Sequence, residues 1–333
     1  MKIKLLIAAQ ADYAEYLSSV LSTKYAETFA VGLCSSKEMV SDTLASKKYD
    51  IVLIESGWIS AQTLKNVRMP LELWSGEPGL SGNTQNIVRI NKYRRISALV
   101  SDILEQYASV APGFADLNKE KGKVIAVWSP AGGAGKTTVA LACATRNVSD
   151  GHTVTYLDLE HFPGTDAYFP NEGKSISLLF DKLASNADIL VKSIRQHDAA
   201  TGIDYFSPPV NYDDINELRV EDMTGIVNIC SRASDVVVVD LPCVCDWRTQ
   251  AVLDMADTIL LVSDGSRTTA AKLNVFISQH SVFENIKSKI LLVLNKGAKQ
   301  ADPVFEKAIS LPDVQTRDPV IIFKTLSGNS FNM

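Results

Sequence analysis

The stretch KVIAVWSPAGGAGKTTVALACATRNVSD, residues 123–150, decides the fold of the larger part of the chain. It opens with a run of β-branched and aromatic residues, which predicts a strand buried on both faces, and it closes with a helical pattern. Gly132, Gly133 and Gly135 lie between the two. A glycine-rich turn between a strand and a helix lets backbone N–H groups point at a phosphate, and the helix dipole adds positive potential. The stretch therefore predicts a phosphate-binding loop in an α/β fold.

Each residue type in this loop suits a particular contact with a nucleotide. Lys136 can reach the β- and γ-phosphates, the Thr137 hydroxyl can ligate Mg²⁺, and Thr138 is expected near the α-phosphate. The predicted nucleotide-binding residues of the loop are Gly132, Gly133, Ala134, Gly135, Lys136, Thr137 and Thr138. The standard pattern G-x-x-x-x-G-K-[ST] requires glycine at position 130, where this chain has Pro130.

Further apolar runs extend the sheet that contains this loop. They are TVTYLDL, DVVVVDL, TILLVSD and KILLVLN, at residues 153–159, 235–241, 258–264 and 289–295. Residues 1–108 show an independent alternation of short apolar runs and amphipathic stretches, which is typical of a parallel sheet covered by helices. Residues 109–121, rich in charge with Pro and Gly, lack periodicity and are predicted to be a linker. We therefore expect two doubly wound parallel-sheet domains, with the second at residues 122–333.

Composition excludes several classes of protein. A chain of 333 residues with 46% hydrophobic and 21% charged residues is ordinary for a globular protein of two domains. No apolar run approaches the roughly 20 residues that a membrane span needs, and five scattered cysteines suit reduced thiols, so a cytoplasmic location is expected. Residues 111–333 carry a formal charge of −6, which does not favour direct binding to nucleic acid.

Two glycines before x-G-K-T make the loop similar to the deviant Walker A motif of the MinD/ParA superfamily. The resemblance implies ATP and Mg²⁺ as ligands and a homodimer when ATP is bound. It makes Asp240, after DVVVV, the Walker B acid that holds the Mg²⁺ shell. It also implies that Asp158 and Glu160 lie near the γ-phosphate and the attacking water, and that Asn295 recognises adenine. The implied catalytic residues are Lys136, Asp158, Glu160 and Asp240, and the implied metal ligands are Thr137 and Asp240.

Two departures from this superfamily predict weak ATP hydrolysis or none. The signature lysine, which reaches the partner's phosphates in an ATP-bound dimer, falls at Ala131. Glu160 stands where the superfamily has a second aspartate, so its carboxylate lies about one methylene further out. Misplacing a catalytic group by about one ångström can reduce the rate roughly a hundredfold. ATP binding is therefore expected more firmly than turnover.

The first domain resembles a response-regulator receiver that has lost its phosphorylation site. The receiver's acid pair falls on Ala8 and Ala9, so the Mg²⁺ site is missing. Glu55 stands at the phosphoacceptor position, with Ser75 and Lys92 near the positions of the receiver's Ser/Thr and lysine. This predicts an interaction or localisation module. In the alternative interpretation, Glu55 is simply a solvated carboxylate.

A degenerate receiver before a deviant Walker A domain resembles the TadZ/CpaE family, which helps to place and assemble type IVb (Flp, or tight-adherence) pili. The segment GIDYFSPPVNYDDINEL, residues 202–218, is also similar to that family. The resemblance implies an ATP-dependent scaffold that binds pilus secretion components. It also implies that partners recruit the protein to the cell pole or the inner membrane.

Four other functions remain to be weighed. A ParA-type partition ATPase would bind DNA. A MinD-like ATPase would carry a basic amphipathic helix that binds the membrane, whereas PVIIF, residues 319–323, looks like a strand. A bacterial tyrosine kinase of this type needs a tyrosine-rich tail, which the sequence lacks. Cys243 lies where nitrogenase-type iron proteins place a cluster ligand, but Cys243 and Cys245 are better explained as small buried residues.

Overall fold

The structure is a computed structural model, which describes residues 2–26, 28–58, 67–75, 87–110, 121–171, 173–180, 187–316 and 318–329. The chain divides into two compact units, Met1–Pro112 and Gly113–Met333. Each unit is an α/β structure with a sheet of its own. Most of the predicted linker at 109–121 lies outside the described residues, so the domain bounds 1–108 and 122–333 stay predictions.

The first unit contains the short parallel strands and the amphipathic helices that its sequence predicts. Its described elements are β1 (Ile3–Ala8), α1 (Ala11–Lys24), β2 (Phe29–Cys34), α2 (Val40–Ser46), β3 (Ile51–Glu55), β4 (Met69–Trp74), β5 (Val88–Asn91) and α3 (Ile96–Val110). The strands run parallel in the order β2-β1-β3-β4-β5, which is the flavodoxin-like order. β3 is buried along its whole length, and this explains its continuous apolar sequence.

The second unit is a larger doubly wound sheet. Its described elements are β6 (Lys123–Trp128), α4 (Lys136–Ser149), β7 (Val154–Asp158), α5 (Ser177–Phe180), α6 (Ala187–Ile194), β8 (Gln196–His197), β9 (Ile203–Tyr205), α7 (Tyr212–Asn216), α8 (Val220–Ala233), β10 (Val236–Asp240), α9 (Trp247–Met255), β11 (Thr258–Ser263), α10 (Arg267–Ile277), α11 (His280–Ile286), β12 (Ile290–Leu294), β13 (Ala308–Ser310) and α12 (Pro319–Asn329). The strand order is β13-β12-β11-β6-β10-β7-β9-β8. All neighbours are parallel except β8, which pairs with β9 in the antiparallel direction.

The order of these strands positions the site. The chain moves from β6 towards β7 and β9 on one side and, after β10, towards β11 and β12 on the other. In open α/β sheets, ligands bind beyond the carboxyl ends of the strands where the direction of winding reverses. Large apolar clusters line both faces of the sheet, and β10 is buried at every residue. The predicted fold class is confirmed, and the loop at 132–138 lies at this point of reversal.

The prediction for PVIIF was wrong, because these residues form the first half of α12. Asp318 Oδ1 accepts hydrogen bonds from the backbone N–H groups of Val320 and Ile321 and so supports the start of this helix. Phe323 and Leu326 are almost fully buried, and α12 packs against α4. The β-branched residues of PVIIF favour a strand by their local preference, but burial of one face of α12 stabilises the helix instead. Within the described ranges, none of the helices combines the length and apolar character of a membrane crossing.

Candidate phosphate-binding site

The loop at 132–138 connects the central strand β6 to α4. Gly133 and Gly135 have φ angles of 75° and 95°, in the left-handed region where glycine is favoured. Gly135 is the N-cap of α4, so the first N–H groups of the helix open onto the loop without intrahelical partners. The sequence prediction of a glycine-rich turn at a helix N-terminus is confirmed in its geometry, and this is an arrangement suited to an anion.

Lys136 lies in the first turn of α4, and its side chain is 7% exposed. Its ammonium forms an ion pair with Glu160, with Nζ 3.0 Å from Oε1. A buried ammonium requires an anionic partner. Glu160 is the more exposed member of the pair, at 31%, so it can withdraw into solvent when another anion approaches. The structure therefore brings together the predicted phosphate-binding lysine and one of the predicted catalytic carboxylates.

Asp158 and Asp240 end neighbouring strands and face each other in the register of β7 and β10. Burial raises the pKa of Asp240 well above its usual value, and the charge of Asp158 raises it further, while the Thr137 hydroxyl opposes the shift. Burial also raises the pKa of Asp158 to about 6. Asp158, Glu160 and Asp240 thus lie within electrostatic reach of one another, while Lys136 acts on Glu160 and Asp240, and the excess of negative charge favours a bound cation.

The surroundings of Asp240 fit a magnesium site. Its side chain is fully buried, and its Oδ1 atom has no hydrogen-bond partner in the described part of the chain. Its Oδ2 atom accepts a hydrogen bond from the Tyr156 hydroxyl at 3.1 Å. Mg²⁺ is commonly held by one or two protein oxygens together with substrate phosphates. Within the described residues, no group of three or more His, Cys, Asp or Glu side chains could hold a metal ion by itself.

Asp158 is fixed by three donors from its own strand end and the loop that follows. Its Oδ1 atom accepts a hydrogen bond from the Glu160 N–H, and its Oδ2 atom accepts bonds from the Gly164 N–H and the Thr165 hydroxyl, each at 3.1 Å. These bonds stabilise the ionised form and oppose the effect of burial on its pKa. The loop after β7 is therefore organised around Asp158, with Glu160 directed towards Lys136.

Asn295 contacts the phosphate-binding loop itself. It is 5% exposed, and its side-chain amide donates a hydrogen bond from Nδ2 to the carbonyl of Ala134 at 2.9 Å. The predicted contact with adenine would then use the remaining oxygen, Oδ1, which can accept from the exocyclic amine of the base. Adenine recognition by Asn295 stays a prediction, while its role in contacting the loop is an addition that the sequence did not reveal.

Three further residues of this site were missed by the sequence reasoning. Lys296 donates a hydrogen bond from Nζ to the carbonyl of Gly133 at 2.7 Å. Tyr156 bonds to Asp240, and Tyr168 lies close enough to Thr138 for the threonine to affect its pKa, which burial raises. Lys296 directly follows the predicted site residue Asn295, and this position in the sequence could have identified it as part of the site. No sequence spacing connects the two tyrosines with the loop.

Ala131, at the position of the signature lysine, brings no charge to the site. It is 3% exposed, and its N–H donates to the Ser129 hydroxyl at 3.2 Å. The interpretation of Cys243 and Cys245 as buried was wrong for Cys243, which is exposed, while Cys245 is half-buried. Both are free thiols.

In the first unit, Glu55 and Lys92 form an ion pair. Glu55 is 8% exposed, so the interpretation as a solvated carboxylate is wrong. Its Oε1 atom lies 2.7 Å from Lys92 Nζ, and its Oε2 atom accepts a hydrogen bond from the Gln10 N–H at 2.7 Å. Ala8 and Ala9 are fully buried, and Ser75 is exposed after β4. The carboxylate of Glu55 is thus buried and paired with Lys92.

Comparisons with known proteins agree with this geometry. Residues 123–266 match the family model described as ATPase MipZ. A ParA family ATPase from Chlorobium tepidum is similar in structure, with 20% identity over 62% of this chain and 90% of that one and a TM-score of 0.51. No curated protein matches the sequence.

Two further solved structures are similar over 62% of this chain. A putative plasmid partition protein from Borrelia burgdorferi, bound to AMPPNP, has 14% identity over 97% of its chain and a TM-score of 0.47. MinD from Pyrococcus horikoshii, complexed with Mg-ADP, has 13% identity over 94% of its chain and a TM-score of 0.44. Residues 123–266 thus match an ATPase family model, and the second unit has an α/β fold like that of a ParA family ATPase.

Proposed function

We propose that the second unit binds ATP with Mg²⁺ at the loop 132–138 and that the bound nucleotide controls assembly more than it supports turnover. The observation that carries the proposal is Lys136, a buried lysine at the mouth of a glycine-rich helix N-terminus, paired with a carboxylate that can move away. The loop N–H groups and the α4 dipole would bind the phosphates, and Lys136 would exchange Glu160 for the β- and γ-phosphates.

Thr137 and Asp240 are the residues that would hold Mg²⁺. The unpartnered Oδ1 atom of Asp240 and the adjacent Thr137 hydroxyl supply oxygen ligands of the kind that Mg²⁺ prefers. The ion would neutralise phosphate charge and relieve the repulsion between Asp158 and Asp240. Its positive charge would also lower the pKa values of both carboxyl groups, which burial raises.

Slow hydrolysis follows from the charges available at this site. Ala131 supplies no cation for the partner's phosphates. The positive charge of Lys136 is already shared with the carboxylate of Glu160. Asp158 and Glu160 would orient the attacking water, but the carboxylate of Glu160 is engaged in an ion pair with Lys136. A site that neutralises the transition-state charge incompletely binds ATP better than it cleaves it.

The proposed biological role is an ATP-dependent scaffold for the assembly of type IVb pili. Two copies would associate when ATP is bound, and the first units would bind pilus secretion components and locate the complex at the cell pole or the inner membrane. The support for this role is the order of the two units and the presence of Glu55, which cannot be phosphorylated in the way of a receiver aspartate, at the position of the phosphoacceptor. There it pairs with Lys92. The proposed scaffold is thus controlled by nucleotide in the second unit.

The experiment is to measure the mass of the full chain by light scattering over a range of concentrations, without nucleotide, with ADP·Mg²⁺ and with ATP·Mg²⁺. We expect a shift from one chain to two with ATP only. Unchanged mass at saturating ATP would contradict the assembly role while leaving ATP binding intact. Salt-sensitive binding to DNA in the presence of ATP would favour a partition ATPase, and sedimentation with liposomes would favour a MinD-like function.

We expect Glu160→Gln to tighten ATP binding about three- to tenfold without raising turnover. The substitution removes both the ion pair that occupies Lys136 and a negative charge near the phosphates, and exposed or half-exposed pairs contribute up to about 1 kcal/mol. Isothermal titration with ATP·Mg²⁺ measures the affinity. Glu284→Gln, on the exposed surface of α11, removes the same charge elsewhere and serves as the control. Unchanged or weaker binding in Glu160→Gln would show that Glu160 does not compete for the lysine.

A further inference from the structure

Lys296 has an unusual backbone for a lysine. Its φ angle is 54°, and among the described residues it is the one non-glycine position with φ above zero. Residues with a Cβ enter this region rarely, and they stay there where neighbouring contacts hold them. The contact here is the hydrogen bond from Lys296 Nζ to the Gly133 carbonyl, at 2.7 Å. A locally unfavourable backbone is thus kept at a point that touches the phosphate-binding loop.

Asn295, the preceding residue, holds the next carbonyl of the same loop. Its Nδ2 atom donates to the carbonyl of Ala134 at 2.9 Å, and the bond is buried. Gly135 makes this approach possible, because a Cβ at that position would collide with the Asn295 amide nitrogen. Two consecutive residues at the end of β12 therefore bind two consecutive carbonyls of the loop.

The direction of these carbonyls fixes the direction of two N–H groups. In a planar trans peptide, the carbonyl of one residue and the N–H of the next point in opposite directions. When Lys296 holds the Gly133 carbonyl, the N–H of Ala134 faces away from Lys296, and when Asn295 holds the Ala134 carbonyl, the N–H of Gly135 faces away from Asn295. Backbone N–H groups of such a loop are the donors that an anion uses.

We propose that Asn295 and Lys296 form a clamp that orients the N–H groups of Ala134 and Gly135 for phosphate before nucleotide arrives. Lys296 is then a positioning residue that acts through the loop. The ammonium of Lys296 also lies 3.8 Å from an Asp264 carboxylate oxygen, and this ion pair helps to hold the ammonium beside the phosphate-binding loop. The clamp rests on the proposed binding of nucleotide at this loop, but its effect on the loop itself is measurable without nucleotide.

The test compares Lys296→Met with the unmodified full chain. Methionine keeps an unbranched side chain of similar length and removes the donor. We expect ¹⁵N relaxation of deuterated, nucleotide-free protein to give a lower order parameter for the Ala134 amide, with a smaller change at Gly135, which Asn295 still holds. We also expect the dissociation constants of ADP·Mg²⁺ and ATP·Mg²⁺ to rise by the same factor, about three- to tenfold, as the loss of one hydrogen bond from a half-exposed lysine implies.

Two control variants separate positioning from a general effect of charge or folding. Lys299→Met removes an exposed lysine three residues after Lys296. It should leave the order parameter of Ala134 and the dissociation constants unchanged. Lys296→Arg keeps a cationic donor and should restore most of the order at Ala134. An unchanged order parameter at Ala134 in Lys296→Met overturns the clamp, whatever the affinity. The order parameter of Ala134 could fall in Lys296→Met although the unmodified protein binds no nucleotide. In that case the clamp stands and the proposed function fails.

Discussion

We expect Lys136→Ala to weaken the binding of ATP·Mg²⁺ about 10- to 100-fold, which corresponds to the loss of a charge-assisted hydrogen bond in a buried site. The side chain of Lys136 is 7% exposed, and its ammonium already pairs with Glu160. Nucleotide binding therefore exchanges one anionic partner for another, and this exchange limits the loss to less than the full interaction energy. Without the lysine, the phosphates would also face Asp158, Glu160 and Asp240 with one cation fewer.

Isothermal titration or competition against a fluorescent nucleotide measures this loss, and Lys299→Ala, on the exposed surface, controls for the change in total charge. Thermal unfolding without nucleotide shows whether the variant folds. Because the charge of Lys136 lowers the pKa of Asp240, we also expect that pKa to rise further in Lys136→Ala. An affinity equal to that of the unmodified protein would place the nucleotide outside the loop 132–138.

The fold could be predicted wherever burial leaves a continuous pattern in the sequence. β6, β7, β10, β11 and β12 are largely buried, so each appears as an unbroken run of apolar residues. β8 and β13 are short strands at the two edges of the sheet and lack that pattern. The helix α12 was mistaken for a strand because its β-branched residues share a local preference with strands, while its packing against α4 is a tertiary contact.

The candidate site could be predicted only in part, for a related reason. The loop glycines, Lys136, Asp158 and Asp240 occupy fixed places relative to strands and helices, so their approach to one another follows from the topology. The pairing of Glu160 with Lys136 depends on the conformation of the loop after β7, which no spacing reveals. The contact of Lys296 with Gly133 depends on a left-handed backbone, a state that a lysine gives no reason to expect.

We expect Gly135→Ala to lower the free energy of unfolding by about 2–4 kcal/mol, even without nucleotide. The φ angle of 95° is unfavourable for a residue with a Cβ, which costs roughly 1–2 kcal/mol. The added Cβ would also collide with Asn295 Nδ2 and displace the hydrogen bond to the Ala134 carbonyl, for a further loss of about 1 kcal/mol or more. Nucleotide affinity should fall as well, because the loop and the start of α4 would both shift.

Gly132→Ala is the matched control, since it makes the same chemical change three residues earlier in the same loop. A Cβ at Gly132 meets no atom within 4 Å, and the φ angle there is not in the left-handed range. Its free energy of unfolding should stay within about 0.5 kcal/mol of the unmodified protein, as for other exposed positions. Urea unfolding of both variants measures the difference. Equal stability of the two would mean that Asn295 is not held against the loop, which would remove the contact on which both the predicted position of adenine and the clamp depend.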